Sequence, residues 1–325
     1  MSPAHRLCTA PMMDWSDRHC RVFFRSLAPH AVVYSEMITT GALLHGDVPR
    51  HLDFDPAEHP VGLQLGGSDP AELAACAKLG QRWGYDEINL NCGCPSERVQ
   101  RGAFGACLMA EPDLVADCVK AIQDAVSIPV TVKHRLGIDR VEDYGFARRF
   151  VETLARAGCR SFFVHARNAV LKGLSPKGNR EVPPLRYAEV YRLKRELPEL
   201  EIVVNGGIAT WPQIEGHLAH ADGVMLGRLA YYDPYALAEI DRRLFGSRAP
   251  TRADVARRMH RYAVEQVAGG VPLRAIARHM LGLYHAQPGA RAWRRLLSDA
   301  GALARNDPEL LLEACDRVEA PAAIA

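Results

Sequence analysis

Acidic residues almost vanish between Thr251 and Ser298. Nine arginines fall in that span (252, 257, 258, 261, 274, 278, 291, 294 and 295), and only Asp254 and Glu265 oppose them, so it carries +7. The whole chain carries +2, which leaves −5 for the remainder. A uniform polycation is excluded, and an anionic partner for one end of the chain is implied. Other absences narrow the field. No apolar run approaches the roughly 18–20 residues that a membrane span needs. No Gly-x-Gly-x-x-Gly follows a strand candidate, which argues against a Rossmann dinucleotide domain, and no Gly-x-x-x-x-Gly-Lys-Ser/Thr occurs, which excludes a P-loop. Cys92-x-Cys94 lacks the second spaced pair of a closed zinc site, so no metal is expected. No signal peptide, solenoid repeat or low-complexity tract is evident. Nine cysteines, scattered and odd in number, read as free thiols in a reducing cytoplasm.

What is present is a β/α alternation. The chain has 325 residues, 48% hydrophobic and 24% charged, enough for one large domain and a small one. Strand candidates are 7–10, 31–34, 61–65, 87–90, 129–133, 161–165, 202–205 and 223–226. Helical patterns fill the gaps at 16–27, 70–82, 112–126, 143–157, 187–197 and 211–218. Eight such units predict a (β/α)8 TIM barrel with a parallel sheet. The stretch from Thr39 to Glu58 fits the alternation least well and is expected to be a long irregular loop. Gly246, Ser247 and Pro250 mark a boundary, beyond which only helical periodicity appears. The expected organisation is a barrel over residues 1–245 and a small all-helical domain over 251–320.

In such a barrel the residues just past each strand share one mouth. Here they are Pro11-Met12-Met13-Asp14, Ser35-Glu36, Gln64, Asn89 and Asn91 with Cys94, Lys133 with Arg135, His165 with Arg167, Asn205-Gly206-Gly207, and Gly227-Arg228. Strands that merely close a core would show no such rule at one end. The concentration points to a site spanning the mouth, as a large planar cofactor requires. Gly206-Gly207 and Gly227-Arg228 follow strands seven and eight, where barrels cradle phosphate, although each pair also suits a tight turn. Asn89 and Asn91 carry donors and acceptors for the edge of a planar heterocycle. Cys94, set between Gly93 and Pro95, offers an acid that gives one proton. Lys133 admits three readings: a cation beside a cofactor that becomes anionic, a Schiff-base lysine, or an ion pair with Glu36 or Asp14. His165 is either a mouth residue or a satisfied core histidine.

These residues together resemble the tRNA-dihydrouridine synthases. The resemblance lies in Ala10-Pro11-Met12-Met13-Asp14-Trp15-Ser16-Asp17-Arg18 and in the run from Gly84 to Met109 that contains Asn89, Gly93-Cys94-Pro95-Ser96 and Phe104-Gly105-Ala106. Val132-Lys133, His165-Ala166-Arg167, Asn205-Gly206-Gly207-Ile208 and Val224-Met225-Leu226-Gly227-Arg228 continue it in order. Gly173-Leu174-Ser175-Pro176, Asn179-Arg180-Glu181-Val182-Pro183-Pro184 and Arg278-His279-Met280-Leu281-Gly282-Leu283 resemble the A-type branch, which reduces uridines 20 and 20a of the tRNA D-loop. Cys92 and His134 depart from the family pattern, where an aliphatic residue and a Cys or Met are usual; local tuning is expected.

The resemblance implies FMN in the barrel mouth and NADPH as electron donor. By position, the flavin residues would be Pro11, Met12, Met13, Gln64, Lys133, His165, Asn205, Gly206, Gly207, Gly227 and Arg228. Cys94 would be the proton donor, and Asn91 would hold the uracil edge. Arg291, Arg294 and Arg295, three and four apart on one helix face, are candidate tRNA phosphate contacts, as are Arg98, Asn179 and Arg180 on loops. A monomer acting on tRNA is expected. A barrel flavoenzyme reducing a free small molecule is the alternative; it would share the cradle but would not need the basic helical domain.

Overall fold

The computed structural model describes residues 5–96, 99, 102–139 and 143–319. Arg98 therefore lies outside the described residues. Eight parallel strands, β1 (Leu7–Thr9), β2 (Val33–Thr39), β3 (Val61–Gly66), β4 (Glu87–Cys92), β5 (Val130–Ile138), β6 (Ser161–Ala169), β7 (Glu201–Asn205) and β8 (Gly223–Leu226), form one sheet. Its order is β1-β8-β7-β6-β5-β4-β3-β2. A parallel bridge joins Cys8 to Val32, just before β2. There Thr9 N–H donates to Val32 at 2.9 Å and Val32 N–H to Leu7 at 3.0 Å, so the sheet closes on itself as a TIM barrel.

Contacts divide the chain into two compact groups. The first is Met1–Met13 with Val32–Gly227, which holds all eight strands. Its helices begin and end where local chemistry requires. The helix Pro70–Trp83 starts with Asp69 accepting from Glu72 N–H and with Pro70 at its first position. Such a cap contributes about 1 kcal/mol. It stops at Gly84, whose φ of +96° suits glycine. Inside the barrel, Cys8, Ala10, Tyr34, Phe163, Val203 and Met225 pack as one buried cluster, with Met12 against it. Because strand side chains alternate, Phe163 also places Ser161 and His165 on the inner face of β6.

The segment 39–58 is not an irregular loop. It contains helices Thr40–His45 and Val48–Leu52 and a 3-10 turn at Pro56–Glu58, each begun by a side-chain cap from Thr39, Asp47 or Asp55. Several strands also run longer than the sequence suggested, β2, β5 and β6 by the most. β2 reaches Thr39, β5 reaches Ile138 and β6 reaches Ala169; pairing resumes past a register shift in each, after Tyr34 in β2 and after Arg135 in β5, and the polar Arg135, Arg167 and Asn168 are buried.

The second group, Asp14–Ala31 with Arg228–Ala325, contains helices and no strand among its described residues. Arg18–Leu27 opens it and buries Cys20, Phe23, Phe24 and Leu27 on one face. Trp293 of the helix Ala290–Leu297 is fully buried, donates its indole N–H to Met280 at 2.9 Å and packs on Tyr284. Arg291, Arg294 and Arg295 fall on the opposite face and are exposed. Other arginines of the basic span are used internally. Arg252 lies over the Tyr235 ring, Arg257 pairs with Asp254, Arg258 donates to Ser26, and Arg278 pairs with Asp17.

Candidate active site

The end of β4 sets the centre of the mouth. Glu87, Asn89 and Asn91 alternate along it on one face, while Ile88, Leu90 and Cys92 bury on the other. Asn91 Oδ1 accepts the N–H groups of Gly93 at 3.1 Å and Cys94 at 3.0 Å. Its Nδ2 donates to Gln64 Oε1 at 2.8 Å, and Gln64 Nε2 donates to Asn89 Oδ1 at 2.7 Å. Donor counting leaves Asn91 one N–H and Gln64 one N–H and one lone pair for a ligand. Cys94 itself is half-buried, and its carbonyl accepts from Ala106 N–H at 2.9 Å. The thiol therefore sits on a loop pinned at both of its backbone polar groups.

Cations line the next two strands. Lys133 neighbours Asn91 in register, and Arg135 neighbours His165. Burial, then Arg135, pulls the Lys133 ammonium down to about 8, although Cys94 opposes the shift. No carboxylate contributes to this shift, as the ion-pair reading of Lys133 would require. Burial, then the charges of Arg135, Lys133, Arg167 and Arg180, holds the His165 imidazole well below its usual range. His165 is thus a neutral ring in a positive well.

Beside it, Gly206 and Gly207 adopt φ of +110° and +69°. A Cβ on Gly206 would stand 2.4 Å from His165 Cδ2, and one on Gly207 would stand 2.6 Å from Leu185. Both positions require glycine for conformation and for space. Among the described residues, the turn hydrogen bonds leave the N–H groups of Gly206, Gly207 and Gly227 unengaged. Asn205 Nδ2 donates to Met225 at 2.8 Å and ties β7 to β8. Pro11 and Met12 are half-buried and Met13 is exposed at the end of β1. Arg228 follows Gly227 in the chain and opens the short helix Arg228–Tyr232.

The structure shows one organising residue that the sequence did not single out. Arg135 is buried; its Nε donates to Gly93 at 2.9 Å, and its Nη1 donates to Asn168 at 3.0 Å and Asn179 at 2.9 Å. One guanidinium thus joins the thiol loop to the end of β6 and to the segment after it. Asn179 does not present itself to a ligand, as the loop position had suggested. It is fully buried, accepts from Val170 N–H at 2.7 Å and donates to the Val170 carbonyl at 2.9 Å. Arg180 next to it is exposed. Cys92 is fully buried with its thiol pushed up by burial, and His134 is buried between Phe150 and Phe162 with its ring lowered to about 4. Both pack behind the strands and not in the mouth. No group of three metal-ligating side chains occurs among the described residues.

Amides, cations, glycine turns and one thiol follow the ends of successive strands here. They lie at the C-terminal strand ends of a TIM barrel, where enzymes of this fold keep their active sites. The model of the dihydrouridine synthase (Dus) family matches residues 8–320. The chain is 55% identical over 322 residues to a tRNA-dihydrouridine(20/20a) synthase of Synechocystis sp., covering 98% of this chain and 96% of that protein. Enzymes of the same name from Pseudomonas putida (57%, covering 91% of this chain and 89% of theirs) and Escherichia coli O6:H1 (54%, covering 95% and 94%) are similar. The chain belongs to the dihydrouridine synthase family. Histamine dehydrogenase from Rhizobium sp. 4-9 shares the fold alone, with a TM-score of 0.53 and 15% identity over 73% of this chain and 45% of that one.

Proposed function

We propose that the protein reduces uridines 20 and 20a of the tRNA D-loop to 5,6-dihydrouridine, with FMN as cofactor and NADPH as electron donor. The observation that carries this reading is the half-buried Cys94 thiol, pinned through Asn91 at a mouth lined by Lys133 and Arg135. The mouth fits a flavin. Gly206 and Gly207 have no room for a side chain, their N–H groups suit a phosphate, and Gln64 keeps a donor and an acceptor for a ring edge. Pro11, Met12, Met13, Gln64, Lys133, His165, Asn205, Gly206, Gly207, Gly227 and Arg228 would hold it. When bound, FMN would supply the hydride that uracil C6 receives.

This chain's own residues do the rest. Lys133 offers positive charge to an electron-rich ring. Asn91 turns its remaining N–H to the uracil edge, where enolate charge develops. Cys94 then gives its proton to C5. A nucleotide stacked in a folded tRNA must swing out to reach this point, at a cost of a few kcal/mol. Arginine contacts to phosphate offset that cost. Arg291, Arg294 and Arg295 are exposed on one helix with no acid among them. We assign the helical segment 251–320 to tRNA binding, and expect the protein to act as a cytoplasmic monomer. Among the described residues no helix is long and apolar enough to cross a membrane.

The deciding experiment is the visible spectrum of the purified protein, followed by dihydrouridine mapping in tRNA from cells that lack it. A flavin spectrum and loss of dihydrouridine at positions 20 and 20a are expected. Colourless folded protein, or activity on free uridine equal to that on tRNA, would contradict the proposal. Replacing Arg291, Arg294 and Arg295 together by glutamine should weaken tRNA binding and lower the slope of log affinity against log salt by about 2–3. An unchanged slope would remove these residues from the interface.

A further inference from the structure

The hydrogen bonds that pin the thiol loop continue through the barrel to its far end. Asn89 Nδ2 donates to Thr131 Oγ1 at 2.8 Å, and the Thr131 hydroxyl donates to Glu87 Oε1 at 3.0 Å. Glu87 Oε2 lies 2.5 Å from His5 Nε2, and Glu201 Oε2 lies 2.7 Å from His5 Nδ1. The hydroxyl of Ser161 and the backbone N–H of His5 complete Glu201 at 2.7 Å and 3.1 Å. A continuous path thus runs from the Cys94 backbone through Asn91, Gln64, Asn89, Thr131 and Glu87 to His5. His5, Gln64, Glu87, Asn89, Asn91 and Thr131 are all buried.

The two ends of this path fix its direction. Backbone N–H groups of Gly93 and Cys94 can only donate, so Asn91 must turn its oxygen toward them. At the other end each ring nitrogen of His5 faces a carboxylate, so both nitrogens carry protons. Burial opposes charge on this ring, but Glu201 and Glu87 outweigh it and raise the imidazole to about 10. Burial likewise opposes charge on Glu201, and His5 brings its carboxyl down to about 2. Tyr34 and Cys8 are the other titratable groups facing this cluster, and burial raises both. With His5 supplying the proton, Glu87 is left to accept from Thr131, and every amide above must donate downward. A reversed path would set the Asn91 amino group against two backbone donors.

We propose that His5 is a positioning residue: paired with Glu87, it fixes the donor direction of the Thr131–Asn89–Gln64–Asn91 chain and thereby holds the Cys94 backbone from the opposite end of the barrel. Only the kinetic consequence rests on Cys94 being the proton donor. Gly223 guards the same point structurally, since a Cβ there would meet the His5 carbonyl at 1.9 Å.

Thr131→Val breaks the path at one hydroxyl with little change of shape, and Thr131→Ser restores the hydroxyl. Full-length holoenzyme of each is compared with wild type by hydrogen exchange of peptides containing Gly93 and Cys94, and by tRNA kinetics. Thr131→Val should speed exchange at Gly93 and Cys94 at least tenfold while β7 peptides keep their protection. It should lower kcat roughly tenfold to a hundredfold with KM for tRNA unchanged, and Thr131→Ser should recover both. Local exchange in Thr131→Val equal to wild type would overturn the proposal. Faster local exchange with unchanged kcat would keep the path and sink the proton-donor reading instead. A measurement on wild type stands whether or not the valine variant folds. Nitrogen NMR of His5 should show both ring N–H groups retained from pH 6 to pH 9, and a neutral ring at pH 8 would overturn the proposal.

Discussion

Replacing Cys94 by alanine is expected to slow dihydrouridine formation by about 10²- to 10⁴-fold, the usual loss on removing a general acid, while flavin and tRNA stay bound. The substitution removes one sulfur and nothing that shapes the loop. The Cys94 N–H still reaches Asn91 Oδ1, its carbonyl still accepts from Ala106, and Arg135 still holds Gly93. Cys107 is the other half-buried cysteine, and burial raises its thiol. Its Sγ is directed to the Phe104 carbonyl at 3.1 Å, so it offers no substitute proton at the same point. Single-turnover kinetics with pre-reduced enzyme isolates the step, and the visible spectrum and a tRNA binding curve verify the rest. A full rate in the alanine variant would take the acid role away from Cys94.

Gly206→Ala is expected to produce folded protein that no longer retains flavin, with affinity down at least a hundredfold. Two costs coincide at this residue. A φ of +110° is strained for alanine, and its Cβ would stand 2.4 Å from a His165 ring that is itself buried and cannot retreat far. The turn must move, and it carries the N–H groups proposed for the phosphate. Absorbance of the purified variant and titration with FMN provide the measurement, and circular dichroism confirms folding. A variant as yellow as wild type would show that the cradle lies elsewhere. Gly216→Ala, in the helix Trp211–Leu218, is the control, since its Cβ would meet nothing within 4 Å.

The barrel was legible in the sequence because its signals are local. Eight apolar runs, each bounded by glycine, proline or a polar residue, require no knowledge of partners. The mouth was legible for the same reason, since strand ends can be read one at a time. What escaped depended on pairing across long separations. Nothing at position 5 announces that its imidazole meets Glu201, 196 residues away. Arg135 looked like one more mouth cation until its three carbonyl partners were seen. Asn179 sits in a run of glycine, proline and charge that suggests an exposed loop, yet burial of its carboxamide is what lets that loop hold a shape. The short helices between Thr40 and Leu52 have fewer than two turns each, too short to show a 3.6-residue period. Their capping residues were the better clue.

The guanidinium of Arg135 has a consequence for how this protein can change. It reaches Gly93, Asn168 and Asn179 from a single rigid plane. A lysine has one point charge and no planar fork, and would leave carbonyls stranded. Lengthening either tethered stretch by one residue would pull a carbonyl out of reach. Viable insertions or deletions near position 93 must therefore be matched by compensating ones near position 179, so the two stretches are bound to diversify in tandem.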